Sequence, residues 1–416
     1  MIDLHQTENL PTLQEFKITG LFGELEHRFE FPVPISRSSE PEILILVGRN
    51  GIGKTTILNI LSWLLTLNFE PFQRLTFTDC QLTLSNGDSL SVKTSPKSLL
   101  ISFNDLPAIV HTEHDSTYSE TELENLKHFR DASAKVFNEI NFELVNIHRL
   151  IDFLPSEEQL LKSQSRRHVD NINHRINHEN DLYELSNLVR QFILEAQVNY
   201  RKYFATDDLE LLPKLLNRFS STNGASVETK DLLNRLDNIR AQLPVMKRLG
   251  LAIDSHDLES LTQLLRSEVN LTTDEWATLE TYVQMLENQN EVRERLTTRL
   301  LRFEAIMDEF LIGKKIHLDA DKGLKIETSQ GNEIKEIQLS SGEYHFLYMM
   351  VTALVSHSFG TIIAIDEPEL SLHVSWQRKL IRALRDCASG ASPLFLFATH
   401  SSAIGAEFQD KWVSLG

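Results

Sequence analysis

The chain has 416 residues, 41% of them apolar and 24% charged, and a formal net charge of −18. That length allows two or three compact units with a sizeable core. The acidic balance disfavours bulk electrostatic binding to DNA or RNA; a local basic groove would still permit a nucleic-acid partner. No apolar run approaches the roughly 20 residues needed to span a bilayer, so no membrane association is expected. MIDLHQTENL lacks the basic stretch and apolar core of a signal peptide. Cys80 and Cys387 are the only cysteines and stand far apart, which argues against a disulfide framework or a cysteine zinc site. A reduced, cytoplasmic setting is the simplest expectation.

In chain order, EFKIT (Glu15–Thr19) and HRFEF (His27–Phe31) read as strands around a turn at Gly23. EILILV (Glu42–Val47) is a continuous apolar run, as expected for a strand buried on both faces. It leads through a glycine-rich segment into a predicted helix, ILNILSWLLTL. A second β-rich stretch carries Asn86-Gly87 between alternating segments, a hairpin signal.

From about Ser116 to Phe310 the chain reads as helical, with Pro213, Ser220–Ala225, Pro244 and Gly250 as interruptions. The last of these helices carries Leu296, Leu300, Phe303, Met307 and Phe310 at alternating spacings of four and three, a heptad-like seam. After Gly313 strands return in KKIHLDA, GLKIETS and EIKEIQL. A helix follows, then the buried strand TIIAID, another helix, and the buried strand LFLFAT. No internal repeat or low-complexity linker is evident. The expected organisation is an N-terminal lobe over 1–165, a helical insertion over 166–307 and a C-terminal lobe over 308–416.

Gly48-Arg49-Asn50-Gly51-Ile52-Gly53-Lys54-Thr55 fits G-x-x-x-x-G-K-[ST] between a buried strand and a helix, the context this phosphate-binding loop requires. Asn50, Gly51, Gly53, Lys54, Thr55 and Thr56 are therefore candidate ATP-binding residues. The loop amides and the helix N-terminus would meet the phosphates, and Lys54 would reach the β- and γ-phosphates. The Thr55 hydroxyl would ligate Mg²⁺. A glycine-rich turn with an accidental lysine is the rival explanation, and the strand and helix on either side disfavour it. TIIAIDEPE ends a buried strand in Asp366-Glu367, where ligands of open α/β sheets bind. Asp366 would hold Mg²⁺, and Glu367 would orient and deprotonate the attacking water. A solvated acidic turn with Pro368 early in a helix competes with that reading when the motif is taken alone.

Leu339-Ser340-Ser341-Gly342-Glu343 resembles the signature sequence of the ABC ATPases, in the form common to their SMC-like and RecF-like branch. Ser341 and Glu343 stand where many ABC transporters have glycine and glutamine. The resemblance covers Glu15–Ser165 and Asp308–Ser402. It implies an α/β fold, a P-loop ABC-type ATPase head split in sequence by a helical, coiled-coil-like insertion. It also implies ATP hydrolysis in a homodimer or higher homo-oligomer, in which Lys54 of one copy and Ser340 and Gly342 of another sandwich each nucleotide. Ser340 would also serve as an ordinary helix cap, a role compatible with phosphate binding. ELSLH (Glu369–His373) resembles the D-loop, with His373 where transporters carry aspartate, and His400 in FATHSS matches the switch histidine. Gln159 is the candidate for the Q-loop glutamine, with Gln81 as the alternative, and Phe22 is the candidate for stacking on adenine.

His174 and His178, beside Glu179, have a spacing that could bind a metal, but their polar surroundings favour a solvated helix face. Arg166, Arg167 and Arg175 form one basic patch, and Arg293, Arg295, Arg299 and Arg302 another. Interspersed Glu291, Glu294 and Glu304 suggest ion pairs first and nucleic-acid contact second.

LSSGE, IDEPELSLH followed by Trp376-Gln377, and ATHSS together resemble the ATPase subunits of two-gene bacterial anti-phage systems, the Septu and PARIS groups. That resemblance implies an oligomeric sensor or scaffold controlling a separate effector nuclease. Only 16 residues follow His400, too few for the Toprim domain of OLD-type nucleases. An SMC- or RecF-like DNA-repair ATPase is the alternative. A transporter subunit is disfavoured by the helical insertion and the D-loop departure.

Overall fold

The computed structural model describes residues 11–32, 40–111, 118–146, 185–204, 227–251, 255–266, 273–356, 360–391 and 393–416. The described strands are β1 (Leu13–Leu21), β2 (Leu25–Glu30), β3 (Glu42–Val47), β4 (Asp79–Leu84), β5 (Ser89–Ser95), β6 (Ser98–Phe103) and β7 (Leu106–His111), then β8 (Phe142–Asn146), β9 (Lys314–Asp319), β10 (Gly323–Thr328), β11 (Glu333–Ile334), β12 (Ile362–Asp366), β13 (Leu394–Thr399) and β14 (Trp412–Ser414). The described α-helices are α1 (Lys54–Leu65), α2 (Glu120–Phe137), α3 (Leu185–Phe204), α4 (Val227–Arg248), α5 (Ser255–Arg266), α6 (Thr273–Phe310), α7 (Ser341–Val355) and α8 (Val374–Cys387). Contacts divide the chain into two units, one formed by residues 1–182 with 337–416 and the other by residues 183–336.

The first unit is α/β. Its antiparallel sheet has the order β2-β1-β4-β5-β6-β7, and its second sheet the order β14-β3-β13-β12-β8. Every pairing in the second sheet is parallel. Parallel sheets are covered on both faces, which is why β3, β12 and β13 read as unbroken apolar runs. Alternation divides their side chains between two cores. Leu44, Leu46, Ala364, Leu396 and Ala398 join Ile57, Leu61 and Leu64 of α1 and Phe16 and Ile18 of β1 in one cluster. On the other side, Cys387 of α8 bonds the Met350 carbonyl of α7 through its thiol at 3.4 Å. The expected hairpin joins β4 to β5, with Thr83 opposite Ser89 and Gly87 at φ 89°.

FELVN, inside the stretch read as helical, forms β8 and extends the parallel sheet beside β12. Five residues are too few for their periodicity to be told from the helical pattern around them. β14, which pairs with β3 at the opposite edge, is likewise too short to announce itself.

The second unit contains α3 to α6 and the antiparallel sheet β11-β10-β9. These strands group with the helices, whereas the sequence reading closes the helical block at 307. Leu232, Leu236 and Ile239 of α4 pack with Leu258 and Leu261 of α5 and Leu279, Val283 and Leu286 of α6. Arg235 clamps α4 to α6 through Glu280 at 2.6 Å and Glu287 at 2.6 Å. The seam on α6 is buried at Leu300, Phe303, Met307 and Phe310 and half-buried at Leu296. Pro244 does not interrupt the helix as expected: α4 runs through it to Arg248. It lies in the last turn and a half, where few downstream bonds depend on its geometry. Gly250, at φ 66°, follows the helix end. Pro213 and Ser220–Ala225 lie outside the described residues.

Candidate nucleotide-binding site

β3 delivers the chain into the glycine-rich loop, and α1 begins at Lys54. Gly53 caps that helix at φ 94° and ψ 15°, a left-handed conformation that disfavours a side chain. A Cβ there would also approach Leu21 Cδ2 to 2.9 Å. The N-terminus of α1 has no side-chain cap and no acidic residue in its first turn. Its leading amides and positive dipole end are therefore available to an anion. Lys54 is buried and folds back over the loop, donating to the carbonyls of Gly48 at 2.8 Å and Arg49 at 3.1 Å. Asn50, Gly51 and Thr55 are exposed, and Thr56 is half-buried.

A residue that the sequence reading assigned only to a strand supports this loop from below. His27 of β2 is buried and hydrogen-bonds the Ile52 carbonyl at 3.0 Å. Burial lowers its pKa, which favours the neutral ring, with the bond to Ile52 opposing the shift. The alternation of HRFEF marks His27 as facing inward with Phe29, but only the tertiary approach of β2 to the loop reveals its partner.

The parallel register brings the remaining motifs to one edge. Asp366 stands opposite Ala398 on one side and Asn146 on the other. Ala398 in turn stands opposite Leu46, and Thr399 opposite Val47. The loop after β3, the acidic pair after β12 and His400 after β13 thus leave the carboxyl ends of neighbouring strands, the ligand-binding edge of such sheets. Asp366 is only 2% exposed. Glu367 follows at φ 47°, a strained conformation for a non-glycine residue, and its N–H donates to the Ala398 carbonyl at 2.8 Å. His400 Nδ1 lies 3.1 Å from Glu369 Oε1 and 3.8 Å from Glu367 Oε1.

Ser340 and Gly342 open α7. Ser340 caps the helix with Glu343 as its reciprocal partner, the Ser340 N–H donating to Glu343 Oε2 at 2.8 Å. Both Ser340 and Ser341 are exposed. A Cβ added at Gly342 would press against the carbonyl oxygen of Ser371, itself at φ 61°. His345, buried in the next turn, hydrogen-bonds the backbone of Leu370, and its pKa is lowered chiefly by burial. The helix start is thereby docked on the segment that follows Glu367. His373, at the transporter aspartate position, caps α8 by accepting from the Ser375 N–H at 3.3 Å.

These groups fit the expected cofactors. Thr55 and Asp366 offer oxygen ligands suited to Mg²⁺, which takes one or two protein oxygens and completes its shell with phosphate and water. Among the described residues no three histidine, cysteine or acidic side chains gather as a metal cage. The structure does not bring the other candidates together. Gln159 lies outside the described residues, as do His174, His178, Glu179, Arg166, Arg167 and Arg175. Gln81 sits in β4 between Lys17 and Ser91, in the antiparallel sheet. Phe22 is half-exposed at φ 53° and its ring borders Gly53. In the second unit, Arg295 pairs with Glu291 at 2.7 Å, Arg299 covers the Phe192 ring, and Glu304 pairs with Arg248.

A phosphate-binding loop and a buried Asp-Glu strand end on one parallel sheet define a P-loop ATPase of the AAA/ABC type. The chain belongs to the family described as "AAA domain, putative AbiEii toxin, Type IV TA system", which matches residues 43–406. It is similar to the "Retron Vc95 probable ATPase" of Vibrio cholerae serotype O1 biovar El Tor, at 23% identity over 394 residues. That match covers 88% of this chain and 66% of the relative, so the chain spans just under two thirds of the relative's length. Among solved structures it is similar to the Smc head domain with an extended coiled coil bound to the C-terminal domain of ScpA from Pyrococcus furiosus. That match has 15% identity and a TM-score of 0.43, covering 95% of this chain and 91% of the other. A second Smc head domain, with a coiled coil and joint from Pyrococcus yayanosii, matches at 13% identity and a TM-score of 0.37, covering 95% and 93%. No helix among the described residues is long and apolar enough to cross a membrane.

Proposed function

We propose that this chain is a Mg²⁺-dependent ATPase head that closes on a second copy of itself. We further propose that, as an oligomeric sensor or scaffold, it controls a separate effector, a nuclease, in anti-phage defence. The observation that carries the ATPase reading is the convergence of Lys54, Asp366, Glu367 and His400 at one edge of the parallel sheet. Lys54 exchanges the carbonyls of Gly48 and Arg49 for phosphate oxygens, while Asn50, Gly51, Gly53 and Thr56 supply loop and helix amides. Thr55 and Asp366 hold the Mg²⁺. Glu367 accepts the proton of the attacking water, and His400 steadies the transferred phosphoryl group. Ser340 and Gly342 present the exposed start of α7 to a nucleotide held by the opposite copy.

The effector reading draws support from three sources. One is the resemblance of LSSGE, IDEPELSLH and ATHSS to defence ATPases. Another is a relative named as a probable ATPase of a retron, and the third is a family description that names a putative toxin. Co-purification of the native operon tests it. An effector that elutes with the chain and is released or activated on infection is the expected result. A chain that elutes alone, and whose loss leaves phage infection unaffected, would sink the effector reading.

A further inference from the structure

Glu369 has no assigned role beyond its place in the segment after the acidic pair, yet it is among the most heavily bonded side chains at the site. It is buried, and its Oε1 accepts from Thr399 Oγ1 at 2.6 Å, from the His400 N–H at 3.1 Å and from the Ser401 N–H at 3.2 Å. The same oxygen lies 3.1 Å from His400 Nδ1. Gln377 closes the frame from α8. Its Nε2 donates to the carbonyls of Leu372 at 3.0 Å and Glu369 at 3.3 Å, and its Oε1 accepts from Ser401 Oγ at 3.1 Å.

We infer that Glu369 is the positioning residue for His400: its carboxylate fixes both the backbone that carries the imidazole and the ring itself. The inference rests on the ATPase reading above. Three donors hold Thr399, His400 and Ser401 to one carboxylate, which anchors the switch segment. The fourth contact acts on the ring. At 3.1 Å the carboxylate's charge favours a proton on Nδ1, which leaves Nε2 as the nitrogen presented to a substrate phosphate. Glu367 is further from the same nitrogen, at 3.8 Å, and is thereby left to the attacking water. A bond that only held the fold together would require no particular side chain at 400. A bond that positions the imidazole has no function once the imidazole is gone.

That distinction sets the test, a double-mutant cycle on ATP turnover by the full chain: wild type, Glu369→Gln, His400→Ala and the double variant. Glutamine keeps an oxygen that can accept from Thr399 and the two amides but removes the charge opposite the ring. We expect Glu369→Gln to lower kcat about tenfold or more, with KM for ATP within about twofold. The double variant should be no slower than His400→Ala alone, with its thermal midpoint within a few degrees of wild type. Wild-type turnover by Glu369→Gln, or losses that multiply in the double variant, would overturn the inference while leaving the ATPase reading intact. A folded wild-type chain without turnover would overturn the ATPase reading, and the inference with it. Should Glu369→Gln fail to fold, Glu369→Asp keeps the charge, retracts it by one methylene and completes the same cycle.

Discussion

Gly342 meets Ser371 so closely that even a methyl group on Gly342 would collide with the Ser371 carbonyl oxygen. This contact ties the start of α7 to the segment that follows the acidic pair. Neither partner can yield cheaply, because the obstacle is backbone. Gly342→Ala should therefore displace that segment without touching the phosphate-binding loop. ATP turnover should fall at least about tenfold while ATP affinity stays within about threefold. Turnover measured alongside equilibrium binding of a fluorescent ATP analogue checks both.

Lys54 is held by the carbonyls of Gly48 and Arg49, so its ammonium is already at the loop. Lys54→Ala removes the charge proposed to meet the β- and γ-phosphates. ATP affinity should fall at least about tenfold, equivalent to about 1.4 kcal/mol, in a titration followed by calorimetry. The fold should survive, because the loop conformation is set by glycines and by His27.

Glu367 follows the end of β12 with a left-handed backbone. Glu367→Gln keeps the shape and removes the proposed base. Hydrolysis should slow about 10² to 10⁴-fold with ATP binding intact. Size-exclusion chromatography with ATP should then show a long-lived larger species that wild type loses as it turns over. Unchanged turnover would mean that another group accepts the proton.

Much of this site is written locally. An unbroken apolar strand, a glycine-rich loop and a helix start are contiguous at Glu42–Leu65, and a second such strand ends in Asp366-Glu367. Period and position suffice there because a parallel strand covered on both faces has nothing polar to disguise it. What escaped the sequence depends on distant neighbours. Glu369 acts on His400 only because β12 and β13 pair in register, and His27 serves Ile52 only because β2 folds under the loop. The strand β8 is hidden by its brevity, and Pro244, a helix breaker by residue type, sits where α4 continues to Arg248.

Among the described residues, the buried histidines His27 and His345 give the fold an acid limit. Burial lowers the pKa of both His27 and His345 from an ordinary value near 6.5. Protons therefore bind the unfolded chain more readily than the folded one below that pH. The stability these groups confer is fully present above about 6.5 and is lost as pH falls through their lower folded-state values. Urea unfolding midpoints should decline from pH 7 towards pH 5. His27→Gln and His345→Gln should each flatten that decline while costing stability at pH 7.

Each proposed active site is shared between two copies, with Lys54 from one and Ser340 from the other. Mixing Lys54→Ala and Ser340→Arg variants of this chain, each expected to be inactive alone, separates a shared site from one built within a single copy. In a shared-site dimer, one of the two sites of every mixed pair is intact. ATPase activity should return on mixing to about a quarter of the wild-type rate per chain, as random pairing of the two copies requires. A mixture that stays as inactive as its parents, while wild type turns over, would place the whole site within one chain and rule out a shared site.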